Sequence, residues 1–275
     1  MIDYLFFFTN LLIDFCKVKT QIKGFNINYK LINEEWISEG RDIIVLLHEG
    51  LGSIPQWKNF PSTISNKLKL PVLVYERIGY GQSDFWTDGI IKSQFLHNEA
   101  LVMLPALIKK LGISNSIILF GHSDGGTIAL IHASAAMAKM KAVIVEAPHI
   151  FFENYSLIGI RKARELLKND AVIQILNKYH QGRATELIDK WTAHWLAAKD
   201  IDWDARQKLN KITLPLLLIQ GYKDDFGTFA QIDNVAKEVK SNIIQVEKIE
   251  DCGHIPHLEQ QEKIINLTED FINRI

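Results

Sequence analysis

A serine stands between two glycines in the segment G-H-S-D-G at residues 121–125, directly after an apolar run and before a helical run rich in small residues. A serine in a G-x-S-x-G turn between a strand and a helix is typical of a nucleophile elbow, which exposes the hydroxyl at the positive N-terminal end of the helix. The tight turn strains the backbone at the serine, and larger flanking side chains would collide with neighbouring strands. We therefore predict that Ser123 is a nucleophile.

A serine hydroxyl is a weak nucleophile unless a base removes its proton. Among the nine histidines, His254 is the best placed, because it follows the last β-rich run and precedes the last helical run. Loops at the carboxyl ends of strands are where open α/β sheets collect their functional groups. We predict His254 as the general base and expect His122 and His132 to be structural. A metal site built from His254, His257 and Glu259 is not predicted, since the sequence offers no convincing further ligands.

A third group has to orient the histidine, and it should lie near the carboxyl end of another strand. Asp224 and Asp225 follow the apolar run at 214–221 and meet this condition. We predict Asp224 as the acid, with Asp225 in reserve and Glu146, at the end of the preceding strand run, as a more distant third candidate. The chain order is then Ser, Asp, His, which differs from the chymotrypsin and subtilisin orders.

Acyl transfer also requires hydrogen-bond donors for the oxyanion. The N–H of Asp124, the residue after the nucleophile, supplies one donor. A second is expected from the loop H-E-G-L-G-S at 48–53, where two glycines let the backbone approach a ligand. We predict Gly50 as that donor, with Leu51 as the alternative, and expect His48 to brace the loop. This chemistry needs no cofactor and no metal.

Short β-rich runs alternate with longer helical stretches along the chain. Continuous apolar runs are typical of strands buried on both faces, and their alternation with helices predicts an α/β fold with a mostly parallel sheet covered on both sides. An alternating run at 22–32 predicts a hairpin at the sheet edge. The predicted strands are 43–48, 71–76, 117–121, 142–147, 214–221 and 243–249, and the predicted helices are 56–68, 92–111, 124–140, 227–239 and 257–272.

One long interval interrupts this alternation. Residues 151–209 contain several helical stretches and no strand run, which makes them too long for a simple crossover and too structured for a loop. We predict a helical cap over 151–209, inserted in a core formed by 20–150 and 210–275. Trp191 and Trp195 have helical spacing near the end of this cap, and we expect them to pack rather than to line a pocket.

An apolar extension over residues 1–19 precedes the predicted core. Asp3, Asn10 and Asp14 interrupt it before it reaches the roughly 20 apolar residues that a membrane span needs. It also lacks the basic region and cleavage site of a signal peptide. A helix docked on the body is the favoured interpretation. Contact with a membrane interface or a partner through residues 1–16, and a poorly ordered extension, stay open.

The composition fits an ordinary soluble globular protein, with 47% hydrophobic and 23% charged residues. The formal net charge is −1, from 31 basic and 32 acidic residues, so nucleic acid is not an expected partner. Cys16 and Cys252 form no C-x-x-C pair and predict neither a disulfide framework nor a zinc site of the usual spacing. We expect a cytoplasmic protein with a small-molecule substrate, and the sequence leaves the oligomeric state open.

From about residue 20 to the C-terminus, the chain resembles the α/β-hydrolase superfamily, in the serine-nucleophile branch with helical caps and small substrates. One departure is Glu49, since a glycine usually follows the histidine of the first motif. The resemblance implies the α/β-hydrolase fold and the triad Ser123, Asp224 and His254. The motifs that carry the resemblance are H-E-G-L-G at 48–52, R-I-G-Y-G-Q-S-D at 77–84, G-H-S-D-G-G at 121–126, G-Y-K-D at 221–224 and G-H at 253–254.

The resemblance implies two-step acyl transfer, in which the serine attacks a carbonyl and water then releases the acid. Haloalkane dehalogenases and epoxide hydrolases of this superfamily use aspartate as nucleophile, so those activities are not expected. Small esters or thioesters are the expected substrates, and hydrolysis of carbon–carbon bonds in diketone-like compounds is the alternative. Some proteins of this fold bind small molecules without turning them over, so a non-catalytic binding protein also stays open.

Overall fold

A computed structural model describes residues 18–86, 94–135, 139–198 and 203–275. Its strands are β1 (Val18–Ile22), β2 (Phe25–Ile32), β3 (Ile43–Leu47), β4 (Val72–Tyr75), β5 (Ile117–His122), β6 (Met140–Glu146), β7 (Leu216–Gly221) and β8 (Ile244–Ile249). They form one sheet with the order β1-β2-β4-β3-β5-β6-β7-β8. β1 pairs antiparallel with β2, β2 pairs antiparallel with β4, and the other neighbouring strands pair parallel.

The N-terminal extension expected over 1–19 lies mostly outside the described residues, so the interpretations of its segment 1–16 stay predictions. The described part begins with β1, in which Val18 already pairs with Tyr29 of β2. The sheet therefore starts before residue 20, where the sequence placed the boundary of the core. Lys19 likewise pairs with Asn28, so the hairpin with its turn at 23–24 includes two residues of the predicted extension.

Helices cover both faces of the sheet, and every helical stretch predicted from the sequence contains at least one of them. No helix among the described residues is long and apolar enough to cross a membrane. The α-helices are α1 (Glu35–Ser38), α2 (Phe60–Leu68), α3 (Phe95–Asn98), α4 (Leu104–Lys110), α5 (Asp124–Ser134), α6 (Asn154–Leu166), α7 (Asp170–Tyr179), α8 (Ala184–Ala197), α9 (Ala230–Glu238), α10 (Pro256–Glu259) and α11 (Gln261–Ile272). Short 3₁₀ helices occupy Ile54–Trp57 and Arg206–Lys211, and a π-helical turn occupies Glu99–Met103.

The sheet has an apolar core on each face. In β3, Ile43, Val45 and Leu47 pack on one side and Ile44 and Leu46 on the other, and all five are at most 2% exposed. This alternation follows from the two-residue period of a strand. Because helices cover both faces, neither set of side chains meets water, and the strand reads as a continuous apolar run. The predicted α/β fold class is thus confirmed.

The long interval between β6 and β7 is helical. It contains α6, α7 and α8, and α8 packs against both of the others. Phe151 and Asp204 form an isolated antiparallel bridge that joins the two ends of the interval. A segment whose ends meet leaves the sheet order undisturbed, and β6 and β7 remain neighbours. The division into a core over 20–150 and 210–275 and a cap over 151–209 stays a prediction.

Candidate active site

Three side chains form a chain of hydrogen bonds at the carboxyl edge of the sheet. Ser123 follows β5, Asp224 follows β7 and His254 follows β8, so the parallel strands bring their loops to one place. The Ser123 hydroxyl donates to His254 Nε2 at 3.0 Å, and His254 Nδ1 donates to Asp224 Oδ1 at 2.9 Å. All three residues are at most 6% exposed. The residues predicted as nucleophile, acid and base therefore lie together in the arrangement that activates a serine.

The turn at Ser123 is strained and leaves no room for larger neighbours. Ser123 has φ 53° and ψ −116°, a conformation that is costly for a residue with a side chain. A Cβ on Gly125 would lie 1.9 Å from the carbonyl oxygen of Leu47 in β3, and a Cβ on Gly121 would lie 2.2 Å from that of Gly125. The collision with a neighbouring strand thus occurs at Gly125, whereas Gly121 is confined by the turn itself.

Asp224 is held in place by bonds to both carboxylate oxygens. The N–H of Phe226 donates to Oδ1 at 2.8 Å, and Gln220 Nε2 donates to Oδ2 at 3.1 Å. Burial alone raises the pKa of Asp224, but the charge and hydrogen bond of His254 and the N–H of Phe226 outweigh burial, and the pKa is lowered. The carboxylate is therefore ionised and able to stabilise an imidazolium at His254.

The two reserve acids lie in other surroundings. Glu146 accepts a hydrogen bond from His257 Nδ1 at 2.6 Å. The backbone of Asp225 packs so closely on helix α6 that a Cβ on Gly159 would lie 2.3 Å from the Asp225 carbonyl oxygen. In the described part of the chain, neither Asp225 nor Glu146 forms a hydrogen bond with His254.

His254, His257 and Glu259 do not converge on a common point. His254 bonds Asp224, His257 bonds Glu146, and Glu259 accepts the N–H groups that begin and end the loop 253–255. Across the described residues, no group of three or more metal-ligating side chains could hold an ion. The Glu259 carboxylate instead stabilises the backbone on both sides of His254.

The candidate oxyanion donors, Gly50 and Asp124, line the same cavity as Ser123. Within the described ranges, neither backbone N–H has a hydrogen-bond acceptor, so both are available to a ligand. Asp124 is also the first residue of helix α5, where the helix dipole favours negative charge. Leu51, the alternative donor, lines the cavity too, and the role of Gly50 stays a prediction.

His48 and Arg77 hold the loop that carries Gly50. Arg77 donates from Nη1 to the His48 carbonyl at 2.7 Å and from Nη2 to the Glu49 carbonyl at 2.8 Å. The His48 ring accepts the Arg77 N–H at Nε2, 3.2 Å away, and donates from Nδ1 to the Glu49 carbonyl at 2.8 Å. His48 braces the loop, as the sequence predicts. Arg77 is a second brace, which the sequence marked by its motif but without a role.

Glu49 places a carboxylate in the wall of the cavity. Its Oε2 lies 3.8 Å from His122 Nδ1, and His122 Nε2 donates to the carbonyl of His254 at 2.7 Å. Burial alone raises the pKa of Glu49, but His122 and His48 outweigh burial and lower the pKa to about 2. The Glu49 carboxylate is therefore ionised. Burial alone lowers the pKa of His122, but Glu49 outweighs burial and raises it, so the residue that precedes the nucleophile partly offsets the charge of Glu49.

A cavity of about 170 Å³ opens at Ser123, between the carboxyl edge of the sheet and helices α6 to α8. Trp191 and Trp195 of α8 also line it. The expectation that these tryptophans pack without lining a pocket is wrong, because the residues against which they pack, Asp124 and Gly50, line the cavity themselves. Helices α6 and α7, and the residue that follows α6, contribute further apolar side chains to the lining, which include Ile160, Ala163, Leu166, Leu167, Val172 and Leu176.

Two side-chain contacts of Asp124, near the nucleophile, are not predicted from the sequence. Trp195 Nε1 donates to Asp124 Oδ1 at 3.2 Å, and Arg77 Nη2 lies 3.8 Å from Asp124 Oδ2. The sequence predicts a role only for the backbone N–H of this aspartate. A carboxylate needs hydrogen-bonding or charged partners when it is buried, so an aspartate in a buried turn was the signal for such partners.

Solved structures with a similar fold include several hydrolases. The enol-lactonase of Burkholderia xenovorans is 17% identical, with a TM-score of 0.72 over 93% of this chain and 100% of that chain. The meta-cleavage product hydrolase of Pseudomonas fluorescens is 15% identical, with a TM-score of 0.68 over 94% of this chain and 97% of that chain. At these identities the likeness shows the fold, which is that of the α/β-hydrolases.

The sequence also matches a family model, Hydrolase_4, described as "Serine aminopeptidase, S33", over residues 41–261. That range is most of the chain and includes Ser123, Asp224 and His254. The chain therefore belongs to this family of α/β-hydrolases. Its similar relatives include a proline iminopeptidase of Saccharolobus solfataricus, 25% identical over 93% of this chain and 91% of that protein.

Proposed function

We propose that this protein is a serine hydrolase that acts on a small ester or thioester by two-step acyl transfer. The observation that carries the proposal is the hydrogen-bonded chain from Ser123 through His254 to Asp224, with distances of 3.0 and 2.9 Å, at the mouth of an apolar cavity. Such a chain supplies an activated nucleophile with neither a metal nor an organic cofactor.

In the first step, His254 Nε2 removes the hydroxyl proton while Ser123 Oγ attacks the carbonyl carbon of the substrate. The carbonyl oxygen becomes an oxyanion, which the N–H groups of Gly50 and Asp124 stabilise. The imidazolium that forms is stabilised by the ionised Asp224. It then gives its proton to the departing alcohol or thiol, which leaves Ser123 acylated.

In the second step, His254 removes a proton from a water molecule, which attacks the acyl carbon. A second oxyanion forms at the same two N–H groups. As it collapses, the bond to Ser123 Oγ breaks and the imidazolium returns its proton to the serine oxygen. The products are a carboxylic acid and the free enzyme.

Removal of an N-terminal residue from a peptide is a second candidate function. The family description and the proline iminopeptidase relative suggest it. The observation that favours it is Glu49, whose ionised carboxylate in the cavity wall could bind the ammonium group of a peptide. Rates on a butyryl ester, a butyryl thioester and prolyl p-nitroanilide distinguish the two functions, and we expect the ester and thioester to react faster.

Labelling with a fluorophosphonate, mapped by mass spectrometry, tests the proposal. We expect one adduct, on Ser123, which is lost in Ser123→Ala. In His254→Ala we expect labelling to slow by about a hundredfold or more, because the base that activates the serine is gone.

Ser134→Ala is the matched control, because Ser134 and Ser123 are equally buried at 6% exposure and Ser134 bonds the carbonyl of Ile131. Its labelling should equal that of the wild type. No adduct in a folded wild-type protein would contradict the proposal and favour a protein that binds a small molecule without turnover.

A further inference from the structure

Helix α8 contacts both candidate oxyanion donors through two tryptophans one turn apart. Trp195 Nε1 donates a hydrogen bond to Asp124 Oδ1 at 3.2 Å. Trp191 lies so close to the oxyanion loop that a Cβ on Gly50 would be 1.9 Å from its Nε1. Residues four apart share one face of a helix, so one face of α8 covers Gly50 and Asp124 together.

Arg77 connects the same two donors from the core side. It bonds the carbonyls of His48 and Glu49, which precede Gly50, at 2.7 and 2.8 Å. Its Nη2 also lies 3.8 Å from Asp124 Oδ2. The contacts therefore link the oxyanion loop to Arg77, Arg77 to Asp124, and Asp124 to α8. Helix α8 in turn contacts the oxyanion loop.

A carboxylate at position 124 is unexpected on grounds of stability. Asp124 is 1% exposed, and ionised groups are costly to bury unless they are well paired. Among the described residues, its Oδ2 has no hydrogen-bond donor, and Arg77 is too far away to be one. Burial raises the pKa of Asp124 to about 6, even though the charge of Arg77 lowers it. An apolar side chain would avoid this cost, so the directional contacts of the carboxylate need another reason.

We propose that the Asp124 carboxylate and Trp195 are positioning residues that fix helix α8 over the oxyanion hole, so that the N–H groups of Gly50 and Asp124 keep the spacing that a tetrahedral oxyanion requires. The inference rests on the proposed acyl-transfer function. A small displacement of either donor weakens its bond to the transition state more than its contact with the substrate, so kcat is affected more than KM.

Trp195→Phe tests this inference, because it keeps an aromatic ring on α8 and removes the N–H that bonds Asp124. Kinetics on p-nitrophenyl butyrate give kcat and KM, and a trifluoromethyl ketone inhibitor, which adds to the serine as an oxyanion, reports on the hole directly. We expect kcat to fall by about tenfold, inhibitor affinity to fall by a similar factor and KM to stay within about twofold.

Trp203→Phe is the matched control. Trp203 is 6% exposed against 5% for Trp195, and its Nε1 has no partner among the described residues. It is not among the residues that line the cavity. Both substitutions remove the same atoms from a buried site, so a general loss of packing affects both. We expect kcat and inhibitor affinity of Trp203→Phe to stay within about twofold of the wild type.

Asp124→Leu and Asp124→Asn provide the second arm. Leucine removes the acceptor and should reproduce the loss seen in Trp195→Phe, whereas asparagine keeps an oxygen that accepts from Trp195 and should lose less. Thermal unfolding identifies any variant that does not fold. The kcat, KM and inhibitor affinity of the folded variants then test the inference.

Three outcomes would overturn the inference. Equal effects of Trp195→Phe and Trp203→Phe, or a change confined to KM, would show that the contact does not position the oxyanion hole. A wild-type protein that neither hydrolyses the ester nor reacts with a fluorophosphonate would overturn the proposed function, and the inference with it. Labelling of Ser123 in the wild type therefore separates failure of the inference from failure of the function.

Discussion

Asp224 and Asp225 are neighbours in the chain, and both follow strand β7. The side chain of Asp224 turns toward His254 and is 4% exposed, whereas that of Asp225 is half-buried and bonds neither His254 nor Ser123 in the described part of the chain. The choice between them depends on the direction of one side chain in a short loop. It can be tested because the two residues are chemically identical.

We expect Asp224→Asn to lower kcat by about 10³- to 10⁴-fold, because asparagine cannot stabilise the imidazolium and favours the wrong tautomer of His254. Asp225→Asn is the matched control and should stay within about threefold of the wild type. Ester hydrolysis at saturating substrate measures both. The reverse order of effects would reassign the acid to Asp225.

Asp124 gives the stability of the protein a specific pH dependence. Burial raises its pKa to about 6 from 3.8, so the folded protein holds this proton more tightly than the unfolded chain. The free energy of unfolding therefore falls as pH rises from about 4 to about 6. Asparagine does not titrate, so the wild type should lose about 3 kcal/mol relative to Asp124→Asn across this window.

Urea unfolding of the wild type and Asp124→Asn at several values between about pH 4 and about pH 7 measures the difference. Other titrating groups are common to both proteins and cancel. Stability curves that run parallel over the window would mean that Asp124 titrates alike in the folded and unfolded states.

At the scale of single elements, the strand–turn–helix unit that carries Ser123 depends on close packing against β3. A Cβ on Gly125 would meet the Leu47 carbonyl at 1.9 Å, and backbone atoms cannot move aside as a side chain does. We expect Gly125→Ala to lower the free energy of unfolding by at least about 3 kcal/mol. Chemical denaturation measures the loss.

Gly112→Ala is the control for the loss of glycine itself. Gly112 has φ +67° and nothing within 4 Å of an added Cβ, so strain of about 1 to 2 kcal/mol is the expected cost. A Gly125→Ala protein no less stable than Gly112→Ala would contradict the packing argument.

At the scale of the whole molecule, we expect the cavity between the sheet edge and helices α6 to α8 to limit the length of the acyl group in the proposed ester substrate. Its volume of about 170 Å³ and apolar lining favour short acyl chains. We expect kcat/KM for p-nitrophenyl butyrate to exceed that for the palmitate ester by more than about tenfold. Equal or greater activity on palmitate would contradict this limit on acyl length.

Leu176→Ala should shift this preference toward longer chains, because Leu176 lines the cavity and is 2% exposed. Leu209→Ala removes an equally buried leucine, 1% exposed, that is not among the cavity-lining residues. It should leave the ratio of hexanoate to butyrate hydrolysis unchanged. A similar shift in both variants would indicate loosening of the fold rather than enlargement of the cavity.

The strands could be predicted closely because burial on both faces makes each of them a continuous apolar run, a signal contained in a few adjacent residues. The predicted helix at 92–111 is a case in which the sequence pattern did not give the detailed helical structure. Residues 92–93 lie outside the described residues, and the rest divides into α3, a π-helical turn and α4. Pro105 at the start of α4 has no N–H to donate, which breaks the regular bonding of one long helix.

The sequence by itself determined the fold class and the candidates Ser123 and His254, because each lies in a short motif directly attached to a strand run. Only the tertiary structure brought Asp224, rather than Asp225, to His254, placed Trp191 and Trp195 at the cavity, and joined Trp195 to Asp124 across 71 positions of the chain. A short motif reflects the local backbone conformation, which is determined by residues that are neighbours in the chain. The direction of a side chain and its distant partners depend on how separate elements pack, and no local pattern encodes that.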